Sequence, residues 1–530
     1  MIVLGEGEET FAQILETIIE GQEPEEIAGI ISGHEGQLVI NPPREPLDMD
    51  AIPSPYLTGA INPSAYPAVH IETFRGCPYS CDYCNEGRGF KKIRTFSMDR
   101  IREELKFIMK SECRTVKFFD ITFNFDRRRT FDILEFIAEN NIKKINFGAE
   151  VRMELFDGKM ADMALKANMT DIETGLQSLR LATLVNNGRY NDLDKFEEHV
   201  KEAVNRGLKV LVHIMGGLPD DTLSDVYKAY DYVLSLGAVS CLFHTKVLPG
   251  TRLHERACRD RYIFDIEPPY DMIHNNTIDI KQFHAYNTFG LALAVITPYM
   301  PLIRCLAWNL SMPPSKLVRQ FGKRLEALDD WERIISRYRW WSAVIDPAFI
   351  AYVRGNNHKW EMALNSLIDR LKATLSKHDY WVITSFKNYI ATVEEVKKMK
   401  PGPDFNPSFM VKEADFLCIS PSQHLTEFKF NIQSLIKNPE SLIHNIEEKT
   451  IHLLVVRNVK GTLTKVINQE MKTLLNIFSE GATLRHAIER LTRHKISDLG
   501  VEIKNYFKDT VQDLVKEGVL LPHEDTNKRY

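Results

Sequence analysis

Between residues 66 and 250 one pattern recurs six times: a short apolar, β-branched run, then a stretch whose apolar residues fall at helical spacing. A strand followed by a crossover helix is the unit from which parallel sheets are built, so this repeat constrains the chain more than any other feature. The strand candidates begin at Ala68 (AVHIETF), Thr115 (TVKFFDI), Lys144 (KINFGAEV), Asp171 (DIETGLQS), Lys209 (KVLVHIMG) and Ala238 (AVSCLFHTKVL). Such strands lie side by side with helices outside, and the loops leaving their C-terminal ends meet at one mouth, where chemistry is expected. Six units predict an α/β fold with an open, partial (βα)6 barrel.

The chain has 530 residues, 44% hydrophobic and 26% charged, which suits roughly two to four globular domains. Lys and Arg total 67 against 72 acidic residues, a net charge of -5, so no nucleic-acid partner is expected. The longest apolar stretch, residues 289–303, is shorter than a bilayer span and carries Pro298 and Pro301. The N-terminus has no basic region followed by an apolar block. No membrane partner and a cytoplasmic location are the expectation. Eight cysteines in such a chain argue against a disulfide framework. Cys113, Cys241, Cys258, Cys305 and Cys418 are scattered, but Cys77, Cys81 and Cys84 fall together.

Residues 76–87 read GCPYSCDYCNEG, placing three thiols at C-x-x-x-C-x-x-C spacing just after the first predicted strand. Thiolates are the ligands that iron–sulfur clusters require, and three on a 4Fe-4S cube leave one iron open to another ligand. A structural zinc site wants four closed ligands, and no His or fourth Cys stands at the needed spacing. A ferredoxin-type electron-transfer site would also want a fourth cysteine nearby, which is absent.

With an aromatic residue, Tyr83, before the third cysteine, the motif in the loop after a barrel's first strand resembles the signature of the radical S-adenosylmethionine (SAM) superfamily. The resemblance implies a 4Fe-4S cluster on Cys77, Cys81 and Cys84 whose open iron is chelated by SAM. It further implies electron transfer that cleaves SAM to methionine and a 5'-deoxyadenosyl radical, which abstracts hydrogen from substrate. By the same resemblance, Asp120 at the end of the second strand (Phe118, Phe119, Asp120) corresponds to a motif meeting the cofactor's amino group, although the usual glycines are absent. Glu150 corresponds to a carboxylate on the ribose hydroxyls, with Arg152 two residues on. Gln177 in GLQS, Arg189 in NNGRY and His213 in VHIMGGLP fall at the spacings of polar cofactor contacts. A lone strand histidine is as readily a satisfied core residue. GGLP with Thr222, and LPGT at residues 248–251, resemble the turns after the fifth and sixth strands, and either can be a plain turn.

The flanks are expected to decide what the radical is used for. Residues 1–64 open MIVLGEGEE, a strand-like run and a Gly-Glu-Gly turn, then a helical stretch and a proline-rich linker at 42–67. The order GEGEETF, linker, cysteine motif, GLQS, GLP-x-x-T and LPGT is similar to the cobalamin-binding class of the superfamily, over roughly residues 1 to 255. In that class a Rossmann-like domain holds cobalamin, and GEGE follows its last strand. This chain starts at that strand and has no D-x-H-x-x-G motif, so the cobalamin domain reads as truncated and a complete pocket is not expected.

The expected domains are 1–64, a remnant of the cobalamin-binding type with its linker; 65–285, the core barrel; 286–440, mainly helical; and 441–530, a small winged-helix-like module. Trp308, Trp331, Trp340 and Trp341 are taken as packing groups of the helical part. The last module, with a strand, three amphipathic helices and an apolar VLLP, resembles peptide-binding domains fused to radical enzymes that modify ribosomal peptides. Its final helices mix lysines with acids and present no basic face, and simple packing accounts for them equally well.

The leading expectation is a radical SAM enzyme, with methyl transfer to an unactivated carbon as its reaction and cobalamin as a doubtful further cofactor. The alternatives are a non-methylating rearrangement, cyclisation or oxidation, including one on a ribosomal peptide, or a non-catalytic iron–sulfur protein. The expected partners are a small-molecule or peptide substrate and an electron donor such as flavodoxin or ferredoxin. No residue stands out as the substrate's acid or base.

Overall fold

A computed structural model describes residues 1–34, 37–86, 92–328, 357–398, 416–419, 423–430, 448–458, 461–467, 469–479, 482–492, 501–516 and 519–522. The chain divides into two units, Met1–Asn287 and Thr288–Tyr530.

In the first unit six strands form one all-parallel sheet: β1 (Ala68–Ile71), β2 (Thr115–Phe118), β3 (Asn146–Val151), β4 (Met169–Gln177), β5 (Lys209–Gly216) and β6 (Val239–His244). They lie in sequence order from one edge to the other, the expected partial barrel. Their two faces differ in character because side chains alternate along a strand. Val116, Phe118, Phe147, Ala149, Ile172, Leu176, Val210, Val212, Ile214 and Leu242 are buried and form the apolar layer of the sheet. The alternate positions, Lys117, Glu150, Glu173, Gln177, His213 and Phe243, make up the lumen face. The third strand starts two residues later than its apolar run, because Lys144 adopts a left-handed conformation (φ 56°) and closes the preceding turn instead.

Each crossover helix starts at the mouth, and most carry a side-chain cap there. Ser97, Asp126, Asp157, Asp192, Thr222 and Thr251 each accept from a backbone N–H one turn on. The turns after β5 and β6 thus end in the caps of helices Leu223–Ser235 and Arg252–Arg259. Thr222 and Asp225 form a reciprocal capping box. Thr222→Ala is expected to cost about 1 kcal/mol, read as a lower urea midpoint for this unit; an unchanged midpoint would show that the box contributes nothing.

The proline-rich stretch at 42–67 is folded against this unit. Met49, Ile52, Ser54 and Tyr56 are buried, the Tyr56 hydroxyl donates to the His70 carbonyl in β1, and the Ile52 carbonyl accepts from Arg100 at 3.0 Å. At the N-terminus, Ile2–Val3 is not part of a parallel, doubly wound sheet. It pairs antiparallel with Ile30–His34, which pairs antiparallel with Gln37–Ile40. Helix Glu8–Ile19 buries Thr10 and Ile14, while Phe11, Leu15 and Ile18, one face by their spacing, stay exposed.

The second unit begins with helices, among them Met300–Asn309, Pro314–Leu325, Asn357–Leu371 and Lys377–Lys398. Trp308, expected to be a packing group, is 53% exposed, while Leu302, Ile303, Cys305 and Leu306 are buried. Trp331, Trp340 and Trp341 lie outside the described residues. Helices Gln469–Ser479, Leu484–Thr492 and Val501–Lys516 share a core that includes Leu454, Phe478, Leu484, Ile488 and Leu514. The strands near them come from upstream of residue 441 as well: Gln423–Phe430 joins an antiparallel sheet with Glu448–Asn458 and Gly461–Ile467, and Phe416–Ile419 pairs with Ala482–Thr483 and Leu520–Pro522.

The apolar stretch at 289–303 sits within a longer helical run. Residues Ile280–Asn309 are, by length and composition, apolar enough to cross a membrane; an 18-residue stretch within them has a mean hydropathy of 1.6 and is 61% buried.

Candidate active site

The cysteine loop grows out of a two-stranded ribbon. After β1 the chain runs through Phe74–Arg75, and the loop returns as Arg94–Thr95, with Arg75 directly opposite Arg94. Gly76 starts the loop at φ 106°, and a Cβ there would stand 3.0 Å from the Lys92 carbonyl, so only glycine fits this neck. Cys81 and Tyr83 are buried, and they pack with Met215, Leu218, Val247 and Leu253 from the β5 and β6 ends. The Asp82 N–H donates to the Asn187 carbonyl at 2.9 Å, and the Asp82 carbonyl accepts from the Leu253 N–H at 3.0 Å. Gly188, at φ 68°, lets the loop come close: a Cβ would lie 3.0 Å from the Ser80 carbonyl.

The three thiols are electrostatic neighbours. Burial pushes Cys77 up from its ordinary value and Cys84 up to about 11, and the neighbouring Cys81 pushes each further in the same direction. Among the described residues they are not drawn into a preformed metal-holding group. Deprotonation here needs positive charge, and a metal cluster is what would supply it. One fixed cation is already aimed at the loop: an Arg189 Nη1–H points at the Cys81 sulfur at 4.0 Å.

The loop lies within a segment that matches a known family. Residues 71–233 match the family model described as the radical SAM superfamily. Residues 71–233 of the chain carry a radical SAM domain. An uncharacterised methyltransferase of Pyrococcus horikoshii is 28% identical over 264 residues, 48% of this chain and 57% of that protein. The cobalamin-dependent radical SAM methyltransferase TokK of Streptomyces tokunonensis is 23% identical over 275 residues, 47% of this chain and 40% of that one. A solved structure of the radical SAM methyltransferase TsrM from Kitasatospora setae, with tryptophan substrate and a SAM analogue bound, covers 49% of this chain and 54% of its own, at 20% identity and a TM-score of 0.43. The chain spans between about a third and just over half the length of the curated relatives it matches.

Around the radical SAM motif the structure gathers most of the residues expected from sequence and relocates one. Asp120, expected at the cofactor's amino group, is 1% exposed and spends its carboxylate inside the protein. It accepts from the Thr73 N–H at 2.7 Å, the Thr73 hydroxyl at 2.5 Å and the Phe74 N–H at 3.3 Å. Its place is beneath the root of the cysteine loop, because the turn between β1 and the ribbon has donors that nothing else satisfies.

Glu150 does face the lumen. Surrounding protein raises its carboxyl, His213 opposes that shift, and Glu173 adds to it. Gln177, in a left-handed conformation (φ 69°), has a buried Oε1 that takes no hydrogen bond from any described residue. Such an orphaned acceptor beside the cysteine loop fits a donor on a bound cofactor. Arg189 is held in place by the Gly175 carbonyl and by Asn191 Oδ1 at 3.0 Å. His213 lies edge-on to Phe243, with ring centroids 4.8 Å apart, and its Nε2 stands 3.5 Å from Glu173.

Two further charged groups of the lumen were not singled out from sequence. Lys117 pairs with Glu173, and His213 and then Lys117 hold the Glu173 carboxyl down at about 2 against burial. The signal was present in TVKF and DIETGLQ, where a charge interrupts buried strands at every second position. Arg152, named from sequence beside Glu150, also stands at the mouth. Its guanidinium lies 4.6 Å above the Tyr79 ring of the cysteine loop, donates to the Tyr190 carbonyl and to Asn191 at 3.1 Å, and pairs with Glu154 at 3.1 Å. These groups wall a cavity of about 370 Å³. Tyr79 brings the cysteine loop to one side of this open cleft.

Proposed function

We propose that this chain is a radical SAM enzyme that binds a 4Fe-4S cluster through Cys77, Cys81 and Cys84 and uses it for methyl transfer to carbon. The observation that carries this reading is the three-thiol loop, latched over the mouth of a parallel half-barrel whose lumen presents Glu150, Gln177 and Arg189. A 4Fe-4S cluster held by Cys77, Cys81 and Cys84 together with SAM would supply, on reduction by an electron donor, the radical chemistry that removes a hydrogen atom from substrate. The chain's own residues do the positioning. Glu150 and the Gln177 Oε1 accept from hydroxyl and amino groups of the cofactor, while Arg189 supplies positive charge beside the sulfurs. His213 is engaged by Glu173 and shapes the lumen wall rather than reaching freely for the cofactor. Asp120 carries no cofactor contact in this reading.

Methyl transfer is supported by the names of the curated relatives, three of which are methyltransferases that each match a little under half of the chain. In this reading SAM is the source of the methyl group, the substrate is a small molecule, and a flavodoxin or ferredoxin delivers the electron in the cytoplasm. The test uses SAM with a deuterated methyl group, the cluster-loaded full chain, cobalamin and a small-molecule extract of the source cells. A product in which CD3 has replaced hydrogen is expected. Recovery of the label only in methionine, with 5'-deoxyadenosine formed, would contradict methyl transfer while leaving radical generation in place.

One residue can be tested without substrate. A cationic N–H aimed at a cluster sulfur favours the reduced, more negative state. Arg189→Gln is expected to lower the cluster's midpoint potential by roughly 50 mV, about a tenfold change for one electron, in a redox titration followed by electron paramagnetic resonance. An unchanged potential would assign Arg189 no role at the sulfurs.

A further inference from the structure

We infer that Glu6, in the N-terminal Gly-Glu-Gly turn, is a positioning residue that closes the neck of the cluster loop. The inference rests on the assignment of the cluster to Cys77, Cys81 and Cys84. All three cysteines lie between Arg75 and Arg94, the two residues that face each other across the ribbon at the loop's root. Two like charges directly opposite on paired strands repel, so this neck would open if nothing offset them. Glu6 does so. Its Oε1 takes Arg75 Nη1 at 3.1 Å and also receives Arg94 Nη2, while its Oε2 takes Arg94 Nη1 and the Leu47 N–H, each at 3.1 Å.

The side chain of Glu6 is 6% exposed, so these bonds form largely out of water. Burial alone would raise its carboxyl, but the bonds from Arg94 and Arg75 outweigh it and hold the group below its ordinary value. Further hydrogen bonds of the two arginines go to partners around the same neck. Arg75 reaches Glu72 at 2.9 Å and Glu8 at 2.5 Å, and Arg94 donates to the Leu47 carbonyl at 2.7 Å. Glu6 spans both strands of the ribbon. Gly76 brings the chains within contact distance at this neck, and the carboxylate keeps them there.

A neck that opens would let the thiols move apart and lose iron, so the readout is cluster release rather than turnover. Wild type, Glu6→Gln and Glu8→Gln are reconstituted with iron and sulfide, desalted, and challenged with an excess of chelator without oxygen, well below the unfolding temperature. Glu6→Gln keeps the size and loses the charge. It is expected to release iron about tenfold faster, the low end of what loss of an outer-shell partner does to metal sites. Glu8→Gln, which removes one peripheral partner of Arg75, should stay close to wild type. A Glu6→Arg, Arg94→Glu double variant restores opposite charges across the neck and should slow release again, which a general loss of stability would not do. Wild-type release from Glu6→Gln, or fast release that the charge exchange does not correct, would overturn the inference. A wild-type chain that never loads a cluster would instead sink the site assignment on which it rests.

Discussion

Replacing Cys81 with Ala is expected to abolish reductive cleavage of SAM. A cluster held by three thiolates has no spare ligand, so two remaining cysteines should not retain it through desalting. Changes one shell further out already cost 10- to 100-fold at metal sites, so loss of a direct ligand should reduce 5'-deoxyadenosine formation by more than about a hundredfold. Iron content should fall to background with it. The fold is not expected to follow. Cys81 is buried among Tyr83, Met215 and Leu218, and removing one sulfur from such a site costs about 1 kcal/mol. Cys305→Ala serves as the contrast: that thiol is fully buried in the other unit and is pushed up to about 12 by burial alone. It should load iron as wild type does. A Cys81→Ala protein that still holds a cluster and cleaves SAM would remove the basis of the functional reading.

The second large effect is structural and falls on Asp120. Asp120→Ala would leave the Thr73 N–H, the Thr73 hydroxyl and the Phe74 N–H without their acceptor at a site that water does not reach. Arg129, which donates to the Thr73 carbonyl at 2.7 Å, would lose the nearby negative charge. Stranded buried donors cost about 1–3 kcal/mol each, and partial rearrangement makes about 3 kcal/mol a fair total for the variant. Chemical denaturation of the first unit measures it, and a loss under about 1 kcal/mol would show that the turn finds other acceptors.

Asp120 also has a pH signature. Burial raises its carboxyl from 3.8 to about 7, and the Thr73 and Phe74 bonds oppose the shift without cancelling it. The native state therefore holds a proton that the unfolded chain has released between those values, so this group's contribution weakens as pH rises from 3.8 to about 7. Asp120→Asn should flatten that slope in stability measured across the same range. A slope equal to wild type would place the titration on another group.

The parts of this protein that are local in sequence were the parts legible from it. Three cysteines within one loop, and strands whose apolar and polar residues alternate, announce themselves within a few residues. Asp120 could not be placed this way. Its position at a strand end suggested the cofactor, but its partners Thr73 and Phe74 are 47 and 46 residues away along the chain. Lys117 and Glu173 are separated by 56 residues, and Arg152 reaches Tyr190 across 38. Such pairs exist only once the strands are in register. The 42–67 stretch shows the converse limit. Repeated prolines mark a chain that cannot join a sheet interior, yet they say nothing of whether Tyr56 and Met49 find a surface to bury against. Glu6 was visible as part of a Gly-Glu-Gly turn, but its work depends on two arginines whose opposition appears only in the folded ribbon.

The most direct measurement is made on the full chain, reconstituted anaerobically with iron and sulfide and mixed with dithionite and SAM. Formation of 5'-deoxyadenosine and methionine in equal amounts, dependent on reductant and absent from Cys81→Ala, is the predicted result. A chain with a full complement of cluster that forms no 5'-deoxyadenosine under these conditions would contradict the assignment of radical chemistry to Cys77, Cys81 and Cys84.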